Sequence, residues 1–273
     1  MKKITIVSFL FLLSIAINAQ EIGLQLYSLR NQFKIDVPST LKIISDTGIT
    51  KVEGGDSYGL PRDEFQNLLK EHHIDVVSVG ADYKDLENNT EKIIENAKAY
   101  SAKYAVCFWI PHNDTIFTIK ETKLALEVFN KAGATLKKEG ITLAYHPHGY
   151  EFRPYEGATL MDYMITHATH FDFEMDVYWF AHPGENPLEW LQRYPEKFKL
   201  MHLKDCKKGY EGNHNGKADV ETNVIAGTGQ IDIKGIVLEA KKVGIEYLFI
   251  EDESSRSVEQ IPESYLYLKK LID

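Results

Sequence analysis

Cysteine is scarce in this chain of 273 residues, which contains only Cys107 and Cys206. The two residues lie far apart, and each is in or at the end of an apolar run. We therefore expect buried structural thiols in preference to a disulfide or a catalytic thiol. The sequence also lacks Pro-rich linkers, low-complexity segments and blocks of like charge. A single domain is expected.

Positive charge is in short supply. The chain has 31 Lys and Arg residues against 40 Asp and Glu residues, and its formal net charge is −9. A chain with this balance is poorly suited to holding the phosphate backbone of a nucleic acid. We therefore expect a small molecule as the partner, and no nucleic acid.

The N-terminal apolar run, residues 4–17, is too short for a comfortable membrane span. It follows two lysines and precedes the small residue Ala19, a pattern typical of a cleaved secretory signal. We expect residues 1–19 to be a signal peptide, with a retained membrane anchor as the alternative. The mature chain, residues 20–273, is then expected to be periplasmic or secreted and free of the membrane.

Short apolar runs with β-strand character alternate along the mature chain with segments of helical periodicity. The eight runs are residues 22–29, 51–54, 75–80, 104–110, 141–146, 171–177, 199–205 and 247–252. The helical segments are residues 39–46, 62–72, 89–101, 119–139, 159–167, 187–194 and 231–243. This alternation of strands and helices predicts an α/β fold, a single (β/α)8 TIM barrel. An open doubly wound sheet is disfavoured because no Gly-x-Gly-x-x-Gly motif follows the first strand.

Residues of metal-ligand type occur near the predicted C-terminal ends of four neighbouring strands, where the active site of such a barrel lies. In chain order they are His146, Asp176, His202 and Glu251. A divalent cation would cancel the repulsion between the two carboxylates. Mixed imidazole and carboxylate ligands favour Mn²⁺, Zn²⁺, Co²⁺ or Fe²⁺ over Mg²⁺.

Several motifs carry a resemblance to a known family. They are IGLQLYSLR near the start of the mature chain, then FEMDVYWFAHPGENPLEWLQRYPEKFKLMHLKD, AGTGQIDIKGI and FIEDE. With these motifs the chain resembles the xylose isomerase-like TIM-barrel family, which includes sugar isomerases and epimerases, inosose dehydratase and endonuclease IV relatives. The resemblance implies a metal site with Asp, His and Glu ligands on strands six, seven and eight. These ligands correspond to Asp176, His202 and Glu251.

Strand five departs from the family pattern. Family members often have a Glu-Pro pair here that supplies the fourth ligand, whereas this chain has His146-Pro147 within LAYHPHGYEF. His146 is one candidate for the fourth ligand, and His148 and Glu151 are the others. In the family's isomerases the strand-five and strand-eight glutamates form the acid/base pair, so only Glu251 of that pair remains.

The resemblance implies a metal-dependent sugar isomerase or epimerase. We expect proton abstraction next to a carbonyl through a metal-stabilised enediolate, with Glu251 or His146 as the base. Lys204 shares a strand face with His202 and is expected to donate a hydrogen bond or proton to the developing oxyanion. Because the protein is expected to be exported, an unphosphorylated sugar, keto sugar or glycoside is favoured. A 3-keto-glycoside lyase or hydratase and a non-catalytic sugar-binding barrel are the alternatives.

Residues near the expected barrel mouth are candidates for substrate contacts. Aromatic rings stack well on the C–H faces of sugars, and polar side chains can bind hydroxyl groups. The candidates are His148, Glu151, Trp109, Trp179, His182, Gln25 and Glu53. For Glu53 a buried ion pair is the alternative. The Gly227-Thr228-Gly229 segment is expected to turn the chain into the last predicted helix in preference to cradling a phosphate.

Overall fold

A computed structural model describes residues 20–113 and 116–273, so the predicted signal peptide lies outside the described residues. Eight parallel strands form a closed barrel, and each strand pairs with its neighbours in the chain until the last pairs with the first. The strands are β1 (Glu21–Gln25), β2 (Lys51–Gly54), β3 (Asp75–Gly80), β4 (Tyr104–Cys107), β5 (Thr142–Tyr145), β6 (Asp172–Asp176), β7 (Phe198–Leu203) and β8 (Tyr247–Ile250). The predicted single (β/α)8 barrel is confirmed.

Helices cover the outside of the barrel between successive strands. They are α1 (Arg30–Phe33), α2 (Val37–Thr47), α3 (Arg62–Glu71), α4 (Tyr83–Asn88), α5 (Thr90–Tyr100), α6 (Ile119–Lys138), α7 (Leu160–His167), α8 (Val177–Ala181), α9 (Pro187–Arg193), α10 (Ile233–Val243) and α11 (Ser257–Ile272). Among the residues described, none of these helices combines the length and the apolar character needed to cross a membrane.

Alternation along the strands separates two apolar cores. One joins the outer faces of the strands to the helices, as Phe173 and Met175 of β6 do. The other is a small cluster of side chains inside the barrel, made of Val77, Val106, Ala144, Leu200, Tyr247 and Phe249. Because side chains repeat their direction every two residues in a strand, the inward positions that follow this cluster point into the C-terminal mouth. Those positions hold the predicted metal ligands.

Some predicted boundaries differ from the observed ones. The predicted first strand, residues 22–29, ends at Gln25, and a 3-10 turn, Leu26–Leu29, follows it. The side chain of Gln25 accepts a hydrogen bond from the backbone N–H of Tyr27 and so caps this turn. Helix α11 lies outside the predicted helical segments, because it contains Pro262 in its interior and proline normally breaks a helical pattern.

Close packing of α6 against the turn before β6 generates a stability prediction. Gly133 lies inside α6, and a Cβ atom there would lie 2.0 Å from the carbonyl oxygen of His170. Replacing glycine by alanine in a helix interior normally stabilises by about 0.5–1 kcal/mol. Here we expect Gly133→Ala to lower the free energy of unfolding by about 1–3 kcal/mol because the backbone must shift. Urea titration measures this, with Lys131→Ala on the exposed face of α6 as the control. A Gly133→Ala variant at least as stable as the wild type would contradict the close approach.

Candidate metal centre

Four side chains meet at the C-terminal mouth of the barrel. His146 follows β5, Asp176 ends β6, His202 lies in β7 and Glu251 follows β8. All four are buried, and each offers one ligand atom within 4.8 Å of the ligand atoms of the others. The structure therefore brings together the four residues predicted as ligands, and we call them the quartet.

The quartet contains buried polar atoms without hydrogen-bond partners among the residues that the structure describes. His146 Nε2 and Asp176 Oδ2 lie 3.4 Å apart, and neither makes a hydrogen bond within residues 20–113 and 116–273. The other oxygen of Asp176 is occupied, because it accepts hydrogen bonds from the backbone N–H groups of Tyr178 and Trp179 at 2.8 and 3.2 Å. Orphaned buried polar atoms are costly and rare in folded proteins. A divalent cation held by the quartet would satisfy them, so the residues present fit a metal.

Both ring nitrogens of His202 contact carboxylates. Its Nδ1 lies 3.3 Å from Glu251 in the quartet, and its Nε2 lies 2.6 Å from Glu53 Oε1. Glu53 in turn accepts hydrogen bonds from Gln25 Nε2 at 2.8 Å and from Ser78 Oγ at 2.5 Å. A carboxylate that binds the far nitrogen of a histidine fixes its orientation as a metal ligand. Glu53 is therefore a buried ion-pair partner of His202, as in the alternative given for it from the sequence. Gln25 also lines the cavity at the mouth of the barrel, which is described below.

Glu174 is a further buried carboxylate, and it is absent from the predicted site. Its Oε2 lies 3.2 Å from His202 Nε2, and its side chain is fully shielded from solvent. Burial and the neighbouring Glu53 raise the pKa of Glu174 well above its usual range. The inward row of β6, which Glu174 shares with Asp176, is the signal in the sequence that could have found it.

Lys204 joins the quartet to a second carboxylate. Its Nζ lies 3.0 Å from Glu251 Oε2 and 2.5 Å from Glu253 Oε1, and only 2% of the residue is exposed. Burial alone lowers the pKa of Lys204, but Glu251 and Glu253 outweigh it and raise that pKa. Burial opposes ionisation of Glu251, but Lys204 and His202 keep the pKa of that carboxyl well below its usual range. Lys204 and Glu251 therefore form a buried ion pair.

A cavity of about 1360 Å³ opens at the mouth of the barrel, and His146 and Glu251 of the quartet line it. Its wall contains four of the predicted substrate contacts, namely His148, Trp109, Trp179 and Gln25. The indole of Trp109 is 48% exposed, and the ring of His148 lies 5.3 Å from that of Trp179. Burial lowers the pKa of His148 well below its usual value, so its imidazole is neutral. The cavity thus combines aromatic faces with neutral and charged polar groups.

Besides Glu53, two predicted substrate contacts lie outside the cavity wall. Glu151 accepts hydrogen bonds from the hydroxyl of Tyr145 and from the backbone N–H of His148, and it faces away from the quartet. His182 is buried against the rings of Tyr178 and Tyr210, at 5.4 and 5.7 Å, and it does not line the cavity. Tyr145 points outward because it alternates with His146 along the strand. Of the three candidates on strand five, His146 is the one placed among the ligands.

We expect the quartet to bind one divalent cation. His146→Ala removes one ligand, so metal content after dialysis should fall at least about tenfold, in line with the loss of a ligand or its close support. Elemental analysis of purified protein reloaded with Mn²⁺, Zn²⁺ or Co²⁺ measures this. The control is His170→Ala, which changes an exposed histidine before β6. Equal metal content in both variants would disprove the assignment of His146.

Burial of Glu151 generates a pH prediction. Burial raises the pKa of Glu151 to about 7. A raised folded-state pKa contributes stability that is fully present below the unfolded value near 4.5 and is lost as the pH rises through about 7. Glu151→Gln avoids ionisation, so its stability relative to the wild type should improve by about 1–3 kcal/mol between pH 5 and pH 8. Urea unfolding at both pH values tests this, with exposed Glu259→Gln as the control. A relative stability that does not change with pH would contradict it.

Comparison with known proteins places the chain in a family. A family model described as xylose isomerase-like TIM barrel matches residues 41–271. The inosose dehydratase of Clostridium perfringens (strain 13 / Type A) is 30% identical over an alignment of 163 residues, and the match covers 56% of this chain and 54% of that protein. The chain therefore matches about half the length of this curated relative.

Solved structures share the fold across nearly the whole chain. A sugar phosphate isomerase/epimerase from Parabacteroides distasonis ATCC 8503 has a TM-score of 0.74 and 22% identity, with 93% of this chain and 97% of that chain covered. The IolI protein, solved with a bound zinc atom, has a TM-score of 0.71 and 14% identity, with 93% and 96% covered. These likenesses agree with the fold, and the family model carries the assignment. The chain belongs to the xylose isomerase-like TIM-barrel family.

Proposed function

We propose that this protein is a metal-dependent enzyme that removes a proton next to the carbonyl of an unphosphorylated keto sugar. The observation that carries the proposal is the buried quartet with unsatisfied ligand atoms, two of whose members, His146 and Glu251, line a large cavity together with an ion-paired lysine. Relatives named as an inosose dehydratase and a sugar phosphate isomerase/epimerase support this class of chemistry, and the zinc atom of IolI supports a metal.

His146, Asp176, His202 and Glu251 would hold the cation. A divalent cation supplies positive charge that stabilises negative charge on a carbonyl oxygen during deprotonation of the adjacent carbon. Glu251 is ionised and lies on the cavity wall, so it is suited to accept the proton. The pKa of His146 is lowered to about 3, first by burial and then by His202, so its imidazole is neutral and available as a ligand.

Lys204 is the proposed proton donor. Its ammonium group lines the same cavity and contacts Glu251, so the base and the donor lie side by side. The contact with Glu253 holds the ammonium group in place and balances its charge. From this position Lys204 can donate a hydrogen bond or a proton to an oxygen of the substrate that gains negative charge.

An unphosphorylated substrate is supported by the loop after β7. In many barrels the loops after strands seven and eight bind a phosphate through backbone N–H groups. Here Asp205 accepts hydrogen bonds from the backbone N–H groups of Gly227, Gly229 and Ile231 at 3.0, 2.9 and 3.2 Å. An internal carboxylate therefore occupies the donors that a phosphate would need. This agrees with the predicted turn at Gly227-Thr228-Gly229, which does not line the cavity.

Isomerisation or epimerisation and elimination share the deprotonation step. Epimerisation by two bases needs a second group on the far side of the substrate, and on strand five the family's Glu is replaced by His146. Glu251 and Lys204 lie next to each other, which favours elimination. The carbon then loses its proton to Glu251, the bond from the neighbouring carbon to its oxygen substituent breaks, and that oxygen takes a proton from Lys204. In this reaction a 3-keto-glycoside would release its aglycone. The cavity is larger than the roughly 300–1,000 Å³ common for small-ligand sites, so it has room for a sugar that carries an aglycone.

The proposed setting is the periplasm or the outside of the cell. The basic and apolar pattern of residues 1–19 supports export, and unphosphorylated sugars and glycosides suit that setting. The acidic balance of the chain supports a small-molecule substrate over a nucleic acid.

Turnover in deuterated water tests the proposal. Metal-loaded protein incubated with free ketoses and with 3-keto-glycosides should give products that carry solvent deuterium next to the carbonyl or, after elimination, a released aglycone. Glu251→Gln should lower the rate at least about 10²-fold because the base is lost. Exposed Glu259→Gln is the matched control and should keep the wild-type rate. The proposal would be wrong if the substrate stayed unchanged and took up no deuterium with Mn²⁺, Zn²⁺ and Co²⁺ alike. A non-catalytic sugar-binding barrel would then be the better description.

A further inference from the structure

Asn223 lies in the cavity wall, near the metal centre but outside the quartet. It follows the loop after β7 and pairs with Cys206 in a short antiparallel bridge. Arg256 donates a hydrogen bond to its carbonyl oxygen at 3.0 Å, so the backbone is fixed on both sides. The residue is 1% exposed, and it lines the cavity together with Lys204 and Glu253.

The orientation of the Asn223 amide follows from its contacts. The backbone N–H of Glu253 donates a hydrogen bond to Asn223 Oδ1 at 3.1 Å. Only an oxygen can accept this bond, so the other end of the amide is the NH₂ group. That Nδ2 is buried and has no hydrogen-bond partner in the part of the chain that the structure describes. A buried donor without a partner destabilises the folded protein, and a ligand in the cavity would remove this cost.

The neighbours of Asn223 define what it would bind. Glu253 presents a carboxylate, which accepts hydrogen bonds, whereas Asn223 Nδ2 only donates them. A hydroxyl group both donates and accepts, so it can bind these two groups at once. A phosphate or carboxylate offers acceptors to Asn223 but, when ionised, has no donor for Glu253.

We propose that Asn223, together with Glu253, binds a hydroxyl group of a neutral, polyhydroxylated substrate beside the metal centre. This inference rests on the proposed function and names the substrate class more closely. Asn223 is a substrate-binding residue, and its partner on the ligand is an uncharged sugar hydroxyl. The part of the cavity wall next to Lys204 therefore selects substrates that carry a hydroxyl group at the carbon bound there.

Binding of free sugars tests this role without requiring turnover. The indoles of Trp109 and Trp179 line the cavity and report occupancy through their fluorescence. Metal-loaded wild-type protein is titrated with a panel of unphosphorylated ketoses, aldoses and methyl glycosides, and the tightest ligand is then compared with its monodeoxy analogues. We expect one deoxy position to weaken binding about tenfold, which corresponds to about 1.4 kcal/mol.

The variant Asn223→Asp keeps the acceptor for the Glu253 N–H and removes the donor. It should bind the parent sugar about tenfold more weakly, and the sensitive deoxy position should no longer matter, as in a double-mutant cycle. A protonated aspartate at this position could still donate a hydrogen bond. The variant Asn223→Ala, which has no donor in its side chain, controls for this. Asn186→Asp is the matched control, because Asn186 caps α9 and Asp caps helices equally well. Metal content and melting temperature confirm that each variant is folded and loaded.

The outcomes separate this inference from the proposed function. Equal deoxy sensitivity in the wild type and both Asn223 variants overturns the inference, and so does the absence of any sugar binding to the wild type. Competition by inorganic phosphate that weakens in the Asn223 variants overturns the assignment of a neutral ligand. Failure of the proposed function appears instead as an absence of solvent deuterium and of elimination products, whatever the binding results are.

Discussion

The burial of charged groups at one end of the barrel is the constraint on which the rest of the structure depends. Several ionisable side chains there are almost completely shielded from water, namely Glu53, Glu174, Asp176, His202, Lys204 and Glu251. Each ionised group in such a place costs several kcal/mol unless it is paired. Pairing is extensive but incomplete, since Asp176 Oδ2 and both oxygens of Glu174 lack hydrogen bonds to any described residue. An arrangement this costly for folding is characteristic of a functional site.

The barrel supplies the rigid frame that this charge cluster needs. Ala144, Leu200 and Phe249 belong to the apolar cluster inside the barrel, and the next inward position after each carries a member of the quartet. The pleat of the strands therefore sets the direction of His146, His202 and Glu251. Carboxylates on β2 and β6 hold His202 from the opposite side. Ligand directions thus depend on strand register, whereas the cavity wall is formed by loops that can vary without disturbing it.

Much of the fold and of the quartet could be predicted from the sequence, because both follow from local periodicity. Period-two alternation along β6, which can be read from the sequence, directs Asp176 inward. The supporting contacts could not be predicted in the same way. The pairing of Glu53 with His202 joins residues 149 positions apart, and the amide orientation of Asn223 depends on a backbone N–H 30 positions away. Glu151 could not be placed from the sequence either. It lies close to His146 and His148 in the sequence, but its side chain points outward, and its position in the sequence did not indicate this direction.

His146 stands where the family that the sequence resembles often has a glutamate, and this difference alters the charge of the proposed metal site. Asp176 and Glu251 together carry two negative charges, which balance a divalent cation, and His146 adds none. Glu253 balances Lys204, with which it forms an ion pair at 2.5 Å. A glutamate in place of His146 would add a further negative charge to a site that already buries the carboxyl groups of Glu53, Glu174, Asp176 and Glu251. Asp205 already occupies the N–H groups of the glycine loop that a phosphate would need. Under the proposed function we therefore expect binding to depend on hydroxyl hydrogen bonds and on stacking against the aromatic wall.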